Sequence, residues 1–473
     1  MTATQSFGLT LASVATTPEH TLRRQLGLVA VTALVVGEVI AIGIFLTPAG
    51  MARSLGSPFW LLIVWLLMGV MALSGALCYG ELAARYPEAG GGYVYLREAY
   101  GPAVAFLYGW KCLLVMDPGI TAALAAGLAS YVGYAVGISG VWLKLIAIGS
   151  IAVLGVVNII GLKLGSGLMQ ALTVLKLGAL ALIIVLALAL QAGSWTNFAP
   201  LVAQHPGSTP LPGALAGAFV GAFFAFGGWW EISKLGGEAR DPARTLPRAL
   251  ALGVGIVTAI YILTSAVFLY LVPLERVTSG ETFAAQAGEL LFGPAGGKVF
   301  AWIVIVAVLG GLLGLLMALP RVYYAMARDG VFFKGVAVLH PRFNTPARAI
   351  AIQTVLASII VVSGTFNQIT AYFVFVTVLF VGLTVAGLFR IRRRAANAPY
   401  RTWGYPITPL IFLLLVIVLL ALLAYNNRLQ AALGVGIVAL GVPVYLLVFR
   451  RSRTLEPVGS DDVDSHRSAH RGG

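Results

Sequence analysis

Charge is what this sequence has least of. Only 10% of its 473 residues are charged and 59% are hydrophobic, where an ordinary soluble domain carries about 25% charged residues. Mean hydropathy is +0.93. Cysteine is nearly absent: Cys78 and Cys112 both lie in or beside apolar runs, which leaves neither a disulfide framework nor a metal site. His20, His205, His340, His466 and His470 sit outside those runs without ligand spacing. No G-x-x-x-x-G-K-[ST] loop occurs, and the links between runs are too short for a nucleotide domain, so the sequence carries no ATP-binding signature. No nucleophile, Ser–His or metal arrangement supports an intramembrane enzyme, and no cofactor is expected. The net charge of +14 is spread over short links and not over a basic module, which argues against nucleic acid as a partner. No cleavable leader is visible, so the N-terminus is expected to be retained.

What is present is a series of apolar runs. By the yardstick of about 20 residues per span there are about twelve: 26–52, 58–82, 100–133, 140–160, 165–191, 212–235, 247–273, 298–327, 347–365, 367–391, 403–425 and 429–450. Residues 1–25 read as a polar N-terminal tail and 451–473 as a charged, disordered one. With both termini cytoplasmic, most basic residues, including Arg390 and Arg392 to Arg394, fall inside. Only Arg53, Lys144, Arg276, Lys298 and Arg428 fall outside. This predicts a multi-pass plasma-membrane protein with an even number of spans. The alanine-, glycine- and arginine-rich composition fits a bacterial inner membrane.

Two runs are interrupted in the same way. The first reads Val35-Val36-Gly37-Glu38-Val39-Ile40-Ala41-Ile42-Gly43-Ile44-Phe45, with a carboxylate between two glycines at mid-membrane depth. Glycine weakens a helix, and an ionisable group there is costly unless it meets a cavity or a partner. The sixth reads Phe223-Phe224-Ala225-Phe226-Gly227-Gly228-Trp229-Trp230-Glu231. A helix broken at mid-membrane offers free N–H groups on one side of the break and free carbonyls on the other. Two such breaks, five spans apart, predict inverted repeats, 26–191 and 212–391, with two additional spans in 403–450 and a binding site at the midplane. The expected fold is an all-α membrane protein with broken helices 1 and 6.

Five stretches carry a family resemblance: the first break; Pro87-Glu88-Ala89-Gly90-Gly91-Gly92-Tyr93 through Gly101-Pro102; Phe224 to Trp229; Gly237-Glu238-Ala239-Arg240-Asp241-Pro242 through Arg248; and Tyr324-Ala325-Met326-Ala327-Arg328-Asp329-Gly330. In this order they resemble the amino acid–polyamine–organocation transporters over about Leu26 to Arg450, nearest the L-type amino acid branch and its bacterial relatives. The resemblance implies a LeuT-like 5+5 fold and sodium-independent, alternating-access transport of L-amino acids, proton-coupled or exchanging. It implies that the amides of Ala41, Ile42 and Gly43 bind the substrate carboxylate. Carbonyls of Val39, Ile40, Phe224 and Ala225, with Gly227 in the break, would take the ammonium. Phe224 would close over the substrate, and Trp230, more than Trp229, would shape the side-chain pocket. Lys176, among leucines in the fifth span, would stand where sodium-dependent relatives bind their cation. From its surroundings alone it must be paired, neutral or reaching the interface.

The sequence departs from the family pattern in places. Ala41 and Ile42 replace a glycine and a serine, which spares the amides and loses a hydroxyl. Glu38 and Glu231 stand where neutral amino acid carriers are uncharged. Three readings stay open for them: they bind a cationic substrate such as a polyamine or basic amino acid, one carries a coupled proton, or they satisfy Lys176, each other or buried backbone. Asp117-Pro118 predicts a kink in the third span, with Asp117 near an outer vestibule or the interface; Lys111 is equally open. The charges of Glu238, Arg240, Asp241 and Arg244 read as a cytoplasmic clasp or a solvated loop. A channel would need a continuous polar pore, which these spans lack. The loop near Val136 to Trp142 has no cysteine, so no covalently attached accessory subunit is expected.

Overall fold

The structure is a computed structural model that describes residues 26–40, 43–87, 90–161, 166–233, 239–277, 282–328, 330–343, 345–394 and 398–449. The two expected tails, 1–25 and 451–473, lie outside these, as do Ala41, Ile42, Glu88, Ala89, Gly237, Glu238 and Asp329.

Helices α1 (Leu28–Val39), α2 (Gly43–Leu46) and α3 (Pro48–Leu55) make up the first run. They are followed by α4 (Pro58–Arg85), α5 (Gly92–Tyr100), α6 (Pro102–Lys111), α7 (Asp117–Val136), α8 (Val141–Ile160), α9 (Ser166–Ala189) and α10 (Leu211–Phe226). The rest are α11 (Pro242–Leu271), α12 (Phe283–Ala318), α13 (Pro320–Arg328), α14 (Ala347–Ser363), α15 (Phe366–Arg394), α16 (Ile407–Asn426) and α17 (Arg428–Val444). Among the described residues ten helical stretches are long and apolar enough to cross a membrane. Val174–Ala189 within α9 and Ala347–Ser363 are apolar but shorter. The chain is a multi-pass, all-helical membrane protein. Its only β-type pairing among the described residues is an isolated bridge from Leu26 to Ala239, where the Arg240 amide donates to the Leu26 carbonyl at 2.8 Å.

The third run differs from the simple kinked span expected. An amphipathic helix, α5, precedes it, and Gly101 at φ +90° turns the chain into α6. A π-helical turn, Cys112–Met116, leads into α7 with Pro118 in its first turn. Proline has no N–H for the carbonyl four residues back, and a π turn absorbs the missing bond. That carbonyl, on Leu114, accepts instead from the Tyr372 hydroxyl at 3.4 Å. Asp117 is 1% exposed, so it is neither interfacial nor in an open vestibule. Its own carbonyl accepts from Thr121, whose hydroxyl is joined through Gln353 to Tyr323, each link at 3.0 Å or less. Lys111, also 1% exposed, lies 4.6 Å from the Tyr108 ring centroid and donates to Met116 Sδ at 2.8 Å.

One end of the bundle is locked by a buried carboxylate. Glu81 is fully buried. Arg85 Nη2 donates to its Oε1 at 2.9 Å, and Arg392 to both its oxygens. The Thr402 amide and hydroxyl donate to its Oε2 at 2.7 and 2.8 Å. This ties the ends of α4 and α15 to the segment before α16. The Arg392 guanidinium also stacks 3.7 Å from the Tyr405 ring centroid. A buried charge is tolerable only while its partners remain. Arg392→Ala is therefore expected to destabilise the purified protein by about 3–5 kcal/mol, read as a lower thermal midpoint in detergent. Arg97→Ala, at a half-exposed ion pair, should change it by less than about 1 kcal/mol. Equal effects of the two would contradict this assignment.

Candidate functional site

The first run stops being helical after Val39, and Ile40 turns away with ψ +43°. It resumes at Gly43 as α2. The sixth run ends at Phe226; Gly227 is extended, Gly228 has φ +107°, and residues 231–233 form a short 3-10 turn. Only glycine adopts that φ without strain, which is why the second break falls on Gly227-Gly228.

The two breaks meet. A Cβ at Gly43 would lie 2.2 Å from Ala225 Cα, so the two backbones touch where both are interrupted. Beside them, the Tyr261 hydroxyl of α11 lies 2.8 Å from the carbonyl oxygens of both Val39 and Ala225. The Phe224 carbonyl accepts from the Gly227 amide at 3.1 Å, which closes the end of α10. A Cβ at Gly228 would lie 3.0 Å from Glu38 Cγ, so the carboxylate of the first break rests against the second. Lys176 Nζ donates to the Gly37 carbonyl at 2.9 Å, within electrostatic reach of Glu38. The ammonium thus sits at the carbonyl end of α1, where cations are favoured.

A model of the family described as amino acid permease matches residues 26–449. The chain belongs to that family, within the amino acid–polyamine–organocation superfamily. It is 32% identical to the serine/threonine exchanger SteT of Bacillus subtilis over 440 residues, covering 91% of this chain and 98% of the exchanger. It is 30% identical to the human large neutral amino acids transporter small subunit 2 over 437 residues, 90% of this chain and 80% of that protein. It is 32% identical to the human b(0,+)-type amino acid transporter 1 over 391 residues, 80% of this chain and 79% of that one. These relatives are transporters and not enzymes, and the permease is an amino acid transporter of the membrane.

The remaining expected residues distribute as follows. Phe224 is 7% exposed and packs edge-on against Phe366 and Phe373 of α15. One turn back, Val220 and Gly221 line a cavity of about 150 Å³ together with Thr47, Met51, Phe366 and Asn367. Phe366, against which Phe224 packs, therefore also lines this cavity. Trp230 stacks on Phe223 at 5.6 Å and its ring tip lies 3.8 Å from a Cβ built at Gly227. Trp229 packs away from the break, against Tyr79 at 5.1 Å and close to Gly75. Glu231 is half-buried and within electrostatic reach of Tyr79 and Tyr108. The Glu38 side chain is exposed, on the same face of α1 as exposed Leu34, four residues earlier. Ala41 and Ile42 lie outside the described residues, so of the three amides expected to take the carboxylate only that of Gly43 is described.

Sequence reading missed Tyr261 and the Glu81 cluster. Tyr261 sits in an apolar helix with no local signal, and its partners are more than 30 residues away. Glu81 carried one faint signal, Arg85 four residues on. The close approach of the breaks gives a direct expectation. Gly43→Ala places a methyl group inside Ala225 and should abolish substrate uptake into proteoliposomes, while the variant still inserts and elutes as a single species on size exclusion. Wild-type uptake by Gly43→Ala would contradict the packing.

Proposed function

We propose that this permease is a secondary active, sodium-independent carrier of L-amino acids that works by alternating access, by proton coupling or by exchange. The observation that carries the proposal is the convergence of the two breaks, with the Val39 and Ala225 carbonyl oxygens both 2.8 Å from one hydroxyl. An α-amino acid is a carboxylate and an ammonium separated by one carbon. The start of a half-helix favours the first and its carbonyl end the second. The amides of Ala41, Ile42 and Gly43 are assigned to the carboxylate, and the carbonyls of Val39, Ile40, Phe224 and Ala225 to the ammonium. Phe224 closes the site toward the cavity, and Trp230 borders the side-chain pocket at Gly227.

Lys176 supports sodium independence. Its ammonium already occupies a carbonyl end of the first break, at Gly37. The exposed face of α1 carries Glu38, and a carboxylate exposed to hydrocarbon is costly; the reading that fits is a water-filled opening on that side. We assign α9 and α14 as membrane spans, giving twelve, with 26–191 and 212–391 as inverted halves and 403–450 added. We assign both termini to the cytoplasm, which the basic links support. Cys78 and Cys112 are both buried, in keeping with a carrier without a disulfide-linked accessory chain.

A second reading has its own observation. Glu38 lies against Gly228, so a carboxylate is present where the breaks meet, and a polyamine or basic amino acid would be drawn to it and to Glu231. Ligand-induced stabilisation separates the two. Neutral L-amino acids, such as L-serine, L-threonine and L-leucine, are expected to raise the melting temperature of the purified protein. At a hundredfold excess over Kd the gain is about 2.7 kcal/mol. Their D-enantiomers are expected to raise it less. Stabilisation by putrescine or L-arginine alone, lost in Glu38→Gln, would replace the first reading with the second.

A further inference from the structure

Lys111 takes no part in the contact between the breaks, yet it is a lysine buried deep in a membrane protein. It ends α6 and is 1% exposed. Its ammonium donates to Met116 Sδ at 2.8 Å and lies 4.6 Å from the Tyr108 ring centroid and 5.8 Å from that of Phe380. Among the described residues no carboxylate oxygen lies within 4.0 Å of it. A thioether is a weak acceptor, whereas the faces of aromatic rings attract a cation. These surroundings hold a positive charge without tying it into an ion pair. Two chains of contacts bring that charge near the breaks. Glu231, just past the second break, and Asp117 are both within electrostatic reach of Tyr108, so Lys111 is the one cation among these three ionisable side chains. Phe380 stands two helical turns, about 10 Å, along α15 from Phe373, which packs on Phe224 at 6.0 Å between ring centroids.

We propose that Lys111 is a specificity-determining residue: its positive charge offsets the interior carboxylates and makes the permease reject amino acids with a cationic side chain. The inference rests on the reading that neutral L-amino acids are the substrates. Glu38 and Glu231 by themselves would draw a basic side chain in; Lys111 opposes it. The ammonium and carboxylate shared by all α-amino acids carry opposite charges, so Lys111 discriminates through the side chain. At about 10 Å, with the effective dielectric constant of about 20 that suits protein interiors, one unit charge alters the occupancy of another on the order of tenfold.

The test measures uptake of radiolabelled L-ornithine and L-norleucine by the full chain in proteoliposomes. The two side chains have the same length and shape; one ends in an ammonium and the other in a methyl group. Wild type is expected to carry L-norleucine and little L-ornithine. Lys111→Met keeps the length of the side chain and removes the charge; it should raise the ornithine-to-norleucine uptake ratio about tenfold. Lys111→Gln, a second neutral variant, should raise it likewise, and Lys111→Arg should keep the wild-type ratio. The proposal is overturned if the ratio changes less than about twofold in whichever neutral variants purify as a single species. It is also overturned if Lys111→Arg raises the ratio as much as they do, which would assign the effect to packing and not to charge. The underlying reading is checked on the wild type alone. If the wild type carries no neutral amino acid, that reading fails and Lys111 has nothing to protect; if it carries L-norleucine and the neutral variants leave the ratio unchanged, only the role of Lys111 fails.

Discussion

Irregular backbone inside a membrane has to be satisfied by protein, because lipid offers it nothing. That constraint shapes this permease around the contact between Gly43 and Ala225. Two helices interrupt themselves at the same depth and touch through their main chains, with no side chain between them. Gly43 is needed for the approach, and Gly228 for the left-handed turn that follows the second break. The groups freed by the interruptions are then answered from neighbouring helices. Tyr261 of α11 reaches both breaks, Lys176 of α9 reaches Gly37, and Tyr131 of α7 donates to the Phe45 carbonyl at 2.7 Å. On the proposed reading, a site made of main chain in this way would bind what every α-amino acid has in common and leave selectivity to the side chains that border it.

The rest of the bundle holds those answering residues in place. The Glu81 cluster fastens α4 to α15 at the end opposite the cavity, since α15 begins at Phe366 beside the cavity and ends near Arg392. The Leu26–Ala239 bridge joins the chain two residues before α1 to the stretch three residues before α11, so the two discontinuous segments are also tied beyond their breaks. The π turn before Pro118 keeps α6 and α7 nearly continuous. It places Asp117 and Lys111 in the interior, where Thr121, Gln353 and Tyr323 form a hydrogen-bonded chain across three helices.

Much of this architecture was legible because its causes are local. Interrupted apolar runs, glycine pairs and lone carboxylates mark the breaks within about ten residues of sequence, and a lysine among leucines marks Lys176. Helix positions mostly followed the apolar runs; the departures are the separate helix at Gly92–Tyr100, whose amphipathic residues read as a loop, and the eighth run, expected at 298–327, whose helix starts at Phe283, breaks at Gly293 and gives way to a second helix at Pro320. What the sequence concealed depends on partners far along the chain. Tyr261 becomes meaningful only once Val39, 222 residues away, is seen to end a helix beside it. Glu81 becomes a lock only when Arg392 and Thr402 arrive, more than 300 residues later. The burial of Asp117 was hidden because its surroundings, Thr121 of its own helix and Gln353 and Tyr323 from distant stretches of chain, are not visible around the local Asp-Pro pair. Glu38 and Glu231 looked equivalent in sequence, yet one lies on an exposed face against Gly228 and the other near two buried phenols.

The central claim, that one amino acid sits where the two breaks meet, is tested most directly by locating the ligand. A crystal of the purified permease grown with L-selenomethionine as ligand, and with ordinary methionine in the protein, would show the ligand selenium by anomalous scattering. The account predicts a single peak on the Gly227 and Trp230 side of the breaks, with the amino acid's main-chain atoms between Gly43 and Ala225. A peak confined to the cavity between Thr47 and Phe366, with nothing at the breaks, would contradict it.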